Sequence, residues 1–541
     1  MRARESWLSL QRRIAGSLRR EVSRIAPFAH RGFSRYRREY ERDLGKPYAP
    51  IDVRGIVRAA AHAHVVHVGD FHALPASQLT ALRLIEELLD RSRRVVLGLE
   101  MADRRHQTDL DAFADGRISS EVLRARLHWE ETWGFDWEGY GDLLECARAQ
   151  HLKLLALNES AAGATLEERD RAAAEIIARA TLADERAVVV VLFGELHVSR
   201  SHLPRAVARS IAAAAPRSAA RRRQITIHQS PERLYFDLVR RGAEDRIGAV
   251  RYQGGDAFAV LTATPAAQSL AYLDWLDRCE RVAVATEDDS LEADWSFVDL
   301  SDSLRLVIEA IARYFSVPTR GLLDFTVTTG DVEEFLHLLR VRRGARAAEV
   351  RRLARLARLG RGVLLPEGNL VFLPRFTLGE AGTLAAQLIH RVRAGSPREP
   401  MAPRQYFYFR VVREAIGALG RRLLDPKSPL ADCTRPKRGA RSRRVADLAA
   451  RHADLAERAH AANASARLAF PFRLPLDVHV PLTRAIGSDL GDRLFEALMD
   501  DRLARAEVRT LFLRPLHRGD AAAEAYFALR RRVLDAAALT A

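Results

Sequence analysis

From about residue 60 to residue 265, short apolar, β-branched runs alternate with stretches whose apolar residues recur every three or four positions. Val65-Val66-His67-Val68 leads into Leu79, Leu82, Ile85 and Leu89 at helical spacing, and Val95-Val96-Leu97-Gly98-Leu99 follows at once. Short runs bounded by such stretches predict strand, helix, strand. Leu152 to Leu157, Val188 to Phe193 and Ile225 to Ile227 extend the rhythm. The pattern predicts an α/β fold with a mainly parallel sheet covered by helices.

Past about residue 300 the spacing turns helical, at Leu304 to Ile311, Arg340 to Arg361, Leu378 to Val392 and Phe407 to Leu424. Val363-Leu364-Leu365 and Val371-Phe372-Leu373, separated by Pro366 to Asn369, predict a hairpin inside this helical region. Residues 425–446, rich in Pro, Lys, Arg and Ser, read as a linker or exposed loop. The first 44 residues predict one or two helices, with Trp7, Leu10, Ile14, Leu18, Val22 and Ile25 on one face and arginines mostly elsewhere. Such a helix fits either an anionic membrane surface or docking on its own protein. These shifts divide the chain into a basic N-terminal extension (1–50), an α/β domain (51–300) and a mostly helical C-terminal domain (301–541).

A net charge of +16 raises nucleic acid as a partner, but the basic residues are almost all Arg and no nucleic-acid motif with interleaved aromatics accompanies them. No nucleic-acid partner is expected. Three cysteines, Cys146, Cys279 and Cys433, form neither a CxxC pair nor an even framework, which favours a reducing compartment. No signal-peptide core or long apolar span is present, so a cytoplasmic location is expected, with peripheral membrane contact through residues 1–44 left open.

Each strand candidate ends in polar residues, and two of the endings share a pattern: Gly69-Asp70-Phe71-His72 and Gly194-Glu195-Leu196-His197. Loops after parallel strands gather along one sheet edge, where open α/β folds bind ligands. One composite site is therefore expected. His72 with Glu100 suits proton transfer near neutral pH, because a carboxylate orients an imidazole and raises its basicity. His197 beside them opens a second possibility, a divalent metal held by His72, His197 and the acids Glu100 and Glu195. Gly69 and Gly194 permit a sharp turn or a close approach to the backbone. His64 and His67 fall on opposite strand faces and read as structural. Trp129, Trp133, Phe135, Trp137 and Tyr140 form either a packed helical insertion or an apolar wall, with Trp133 and Trp137 the candidates to line a ligand cleft.

Together, Gly69 to Gln78, Leu97-Gly98-Leu99-Glu100-Met101, Gln107 to Gly116, Trp133 to Tyr140, Ala156-Leu157-Asn158 and Phe193 to His197 followed by Leu203-Pro204 resemble the ChaN-like family of haem-binding uptake proteins. These are relatives of the Tiki proteins and erythromycin esterases, and the likeness runs over roughly residues 60–230. The resemblance implies either haem binding and iron acquisition or hydrolysis by the paired Gly-x-x-His motif with a glutamate. It implies His72 as the water-activating or ligand histidine, Glu100 as the essential acid and His197 as the second histidine. Arg169-Asp170 is similar to an Arg-Asp pair that opens a helix in the esterase relatives. No tyrosine falls in a motif that would carry the family's haem ligation. The expectation is therefore an ester or amide hydrolase, or a binder of haem or another flat small molecule in the same cleft.

Overall fold

A computed structural model describes residues 3–25, 33–159, 164–286, 300–322, 325–329, 332–343, 347–358, 362–365, 370–397, 399–427, 440–461 and 470–538. The chain divides into two compact units: Val22–Trp275 with Cys279–Ser296, and Met1–Glu21 with Leu276–Arg278 and Phe297–Ala541.

The first unit is built on an eight-stranded sheet. Its strands are β1 (Tyr48–Ile51), β2 (Val65–Asp70), β3 (Arg94–Asp103), β4 (Lys153–Asn158), β5 (Ala187–Gly194), β6 (Gln224–Gln229), β7 (Ala249–Tyr252) and β8 (Ala257–Val260). Their order is β1-β7-β8-β6-β2-β5-β3-β4, with every pairing from β8 to β4 parallel and β7 antiparallel to both its neighbours. All five strands expected from the apolar runs form. At four residues each, β1, β7 and β8 are too short to announce themselves by pattern.

β5 is buried along its whole length, as a strand covered on both faces must be. Its side chains alternate between two cores. Val188, Val190 and Leu192 join the helices Val53–Ala61, Pro75–Asp90 and Trp137–Ala149 on one face. Val189, Val191 and Phe193 meet the helices Leu166–Ala183 and Leu203–Ala214 on the other. With β2 and β3 on either side, the ends of these three strands form the middle of the sheet's C-terminal edge.

Part of the N-terminal segment differs from the expected extension. β1 pairs with β7, and the helix Phe33–Asp43 packs by Tyr36, Glu39, Tyr40 and Asp43 onto loops of the sheet edge, so both are components of this unit. The shortness of β1 and the charged sequence of the helix hide this, the helix's contacts being polar and aromatic.

In the second unit the apolar stripe of Ala3–Ile25 is used for packing. Trp7, Leu10, Ile14 and Leu18 are buried, and Trp7 donates from Nε1 to Leu423 O at 2.8 Å while lying edge-on to Phe495. The helices Leu378–Ala394, Pro403–Leu424 and Leu476–Met499 carry much of this unit's apolar interior. The expected strand pair forms as β10 (Val363–Leu365) against β11 (Leu370–Leu373), joined in parallel by β9 (Thr326–Thr329); the turn between β10 and β11 lies outside the described residues. Residues 428–439 of the expected linker also lie outside them, whereas Ala440 opens the helix Ala440–Ala461. Among the described residues no helix is long and apolar enough to cross a membrane.

Candidate active site

β3 leaves its neighbour just where the chemistry begins. Its pairing with β5 ends at Leu99, and its register with β4 slips between Leu99 and Asp103. A bulge of this kind redirects side chains. Beyond the last β3–β5 pair, Leu99 with Leu192, the Gly194 N–H donates to Glu100 Oε2 at 2.6 Å. Arg169 donates to Glu100 Oε1 at 2.5 Å. Glu100 is thus a buried carboxylate with a donor on each oxygen. Burial pushes its pKa up, but Arg169, His72, His197 and the Gly194 N–H outweigh this and hold it below the ordinary value.

His72 stands on one side of Glu100. Its Nδ1 lies 2.8 Å from Asp70 Oδ2, which turns Nε2 toward Glu100 Oε2 at 3.7 Å. Asp70 is held in turn by Gln78, at 2.5 Å to Oδ1, and by the Tyr140 hydroxyl, at 2.5 Å to Oδ2. Gln78 comes from the first turn of a helix opened by Pro75, and Tyr140 from the helix capped by Asp136. Burial opposes a charge on His72, yet the Asp70 and Glu100 carboxylates prevail and raise its pKa above the usual imidazole value.

His197 stands on the other side, with Nδ1 2.6 Å from Asp170 Oδ1. Asp170 and Arg169 are neighbours in the helix Leu166–Ala183, whose start is fixed by a capping box between Thr165 and Glu168. Consecutive helical positions diverge by about 100°, so Arg169 serves Glu100 while Asp170 serves His197. The three groups meet over Gly194: a Cβ built there would lie 3.3 Å from Glu100 Oε2 and 3.4 Å from both His72 Nε2 and His197 Cδ2. Gly194 therefore provides room rather than a turn. The same holds at Gly69, where a Cβ would fall 1.8 Å from Glu195 Oε2.

Glu195 does not join the other acids. Its oxygens face the opposite neighbour, 2.9 Å from His228 Nδ1 and accepting from the Gln229 N–H at 3.1 Å. It belongs to the packing between β2 and β6. The expected metal set is thereby reduced to His72, Glu100 and His197, with both Glu100 oxygens already occupied by donors and one of those donors a cation. Among the described residues no group of three His, Cys, Asp or Glu is arranged to hold a metal ion. The donor set does not fit a metal site.

Trp133 and Phe135 flank His72, with ring centroids 4.6 and 5.2 Å away. Trp275 extends this wall by stacking on Phe135 at 4.3 Å and donating to Gly134 O at 2.9 Å. Trp137, paired with Trp133 in the sequence reading, packs instead against Trp129 at 4.7 Å. His67 is buried against Gln224, with its pKa lowered to about 4 by burial, and takes the structural role expected of it. Asp70 and Tyr140 stood inside motifs already noticed, and a carboxylate two residues before a histidine was their signal. Tyr36 had none, since it precedes its partner Asp170 by 134 residues.

The family model described as "Haem-binding uptake, Tiki superfamily, ChaN" matches residues 56–166. This is the family read from the motifs, and the match covers His72 and Glu100 but ends before Arg169 and His197. A solved structure entitled "Cofacial heme binding to ChaN of Campylobacter jejuni" is similar at 15% identity and a TM-score of 0.27, covering 34% of this chain and 87% of that one. The type III effector HopBA1 is similar at 13% identity and a TM-score of 0.28, covering 40% of this chain and 96% of that one. The search of curated proteins gave no match.

Proposed function

We propose that the strand-end site hydrolyses an ester or amide by acid–base catalysis shared between His72 and His197. The observation that carries this reading is the convergence over Gly194 of two imidazoles, each held through Nδ1 by its own carboxylate, with an ionised glutamate between them. Holding Nδ1 leaves Nε2 as the working atom. The Asp70 and Glu100 carboxylates favour the protonated form of His72, and on this reading His72 is the acid and His197 the base. A water proton passes to His197 Nε2 as its oxygen adds to the carbonyl carbon. The carbonyl–heteroatom bond then breaks, and the leaving oxygen or nitrogen takes the His72 proton. Glu100, kept charged by Arg169, stabilises the imidazolium at each stage rather than moving a proton itself.

A positioned acid or base typically contributes about 10²–10⁴ in rate. In a screen of chromogenic esters and amides, His72→Ala and His197→Ala should each lower kcat/KM of the responding substrate by about that factor. Equal turnover by the native chain and both variants overturns the reading.

A second reading follows from the aromatic wall. Trp133, Phe135 and Trp275 beside a partly open His72 suit a flat apolar ligand, and were a haem bound there these side chains would hold it, with His72 supplying a nitrogen ligand. Tyr36 and Tyr140 are tied to Asp170 and Asp70, and Tyr40 to Glu195, so these three tyrosines are engaged within the protein. Hemin titration should give a saturable Soret shift that is lost in His72→Ala; an unchanged shift in that variant removes this reading.

A further inference from the structure

The two histidines are held by matching three-residue relays. On one side the Tyr140 hydroxyl donates to Asp70 Oδ2, the oxygen that faces His72 Nδ1. On the other the Tyr36 hydroxyl donates to Asp170 Oδ2 at 2.7 Å, and Oδ1 of the same carboxylate faces His197 Nδ1 at 2.6 Å. Tyr140 comes from within the family-matched segment, but Tyr36 comes from the helix Phe33–Asp43, before it.

That helix applies one face to the second motif. Positions 36, 39, 40 and 43 share a helical face. Tyr36 stacks on His202 at 3.5 Å and 7° and lies edge-on to His197 at 5.4 Å. Glu39 Oε2 is 3.1 Å from His202 Nε2, and Tyr40 meets His228 edge-on at 5.5 Å. Asp43 accepts from Ser199 Oγ at 2.7 Å and from the Arg200 N–H at 3.1 Å. Arg35 pairs with Glu167 beside the cap that sets Asp170. Apart from the Tyr40–His228 contact on β6, these contacts fall on the segment carrying His197 or on the first turns of the helix carrying Asp170.

We infer that Tyr36 is a positioning residue of this site and that the helix Phe33–Asp43 completes it. A carboxylate that accepts a hydroxyl on one oxygen and an imidazole N–H on the other has its orientation and basicity set by both donors. Tyr36 is 1% exposed, and burial followed by the Asp170 charge raises its pKa steeply, so the phenol keeps its proton and only donates. It thereby fixes Asp170, and through Asp170 the ring that must present Nε2 over Gly194. This inference rests on the two-histidine reading of the site, but its test does not depend on a substrate.

The experiment is proton–nitrogen NMR of the full chain labelled at histidine. The Nδ1–H resonances of His72 and His197, each bonded to a carboxylate, serve as the readouts. Tyr36→Phe should move the His197 resonance further downfield, as Asp170 regains the charge it shared, and leave that of His72 in place. Tyr140→Phe should do the reverse. Glu39→Gln, on the same helix face but directed at His202, should move neither. Replacing tyrosine by the more acidic 3-fluorotyrosine keeps the packing and should shift both histidines upfield, which covers the case where Tyr36→Phe does not fold. A His197 resonance that stays at its native position in folded Tyr36→Phe, or in the fluorinated protein, overturns the inference. Absence of turnover by the native chain would count against hydrolysis alone.

Discussion

Glu100 is 3% exposed, and its charge is balanced by Arg169 and the Gly194 N–H rather than by water. Removing one partner of a buried pair strands the other, at a cost of about 3–5 kcal/mol. Arg169 keeps some contact with solvent, so Glu100→Gln should cost nearer about 3 kcal/mol in urea unfolding and should reduce hydrolysis as well. Gly69→Ala tests the neighbouring crowding. Its methyl would meet Glu195 Oε2, so the carboxylate must leave His228 and Gln229, and the urea midpoint should fall by the equivalent of about 1–3 kcal/mol. At this scale the closeness of His72 and His197 was legible because a histidine three residues after a strand-end glycine is a local signal, and that of Glu100 because it ends a neighbouring apolar run. Glu195 carried the same signal and yet faces away, because strand side chains alternate and a carboxylate can follow either side of the pleat.

At the scale of elements, two local devices aim the site. The slip in β3 turns Glu100 toward β5, and the capping box at Thr165 fixes where the helix Leu166–Ala183 begins and hence where Arg169 and Asp170 point. Loss of an N-cap side chain costs about 1 kcal/mol. Thr165→Ala should therefore lower stability by about that amount, while its effect on kcat/KM exceeds what the lost stability explains. A urea titration beside a kinetic comparison of the same variant checks both. The strands and helices of residues 65–229 were legible because apolar spacing reports burial on one face or two. The bulge was not, since nothing in Leu99 to Asp103 marks where a ladder hydrogen bond is surrendered. The helix Phe33–Asp43 was legible as a helix but not as a wall of the site, because its contacts use Tyr, Glu and Asp side chains that also suit a solvated face.

For the whole sheet unit, the two titrating groups at its edge pull stability in opposite directions with pH. Glu100 titrates lower when folded, so its contribution is present above about pH 4.3 and is lost as pH falls through the depressed value. His72 titrates higher when folded, so its contribution is full below about pH 6.5 and fades as pH rises through the raised value. Urea midpoints across pH 3–9 should therefore fall on both flanks, the acid flank also through His67, which is buried neutral and loses stability below about pH 6.5, and His72→Gln should flatten the alkaline flank alone. Order along the sheet sets a further constraint. β5 lies between β2 and β3, although the chain makes it after β4. During synthesis at about 5–20 residues per second, the earlier strands must wait with open edges until Ala187–Gly194 emerges. A ribosome-bound chain should thus gain protease resistance in one late step, and slowing translation before that point should lengthen its exposure to chaperones and aggregation.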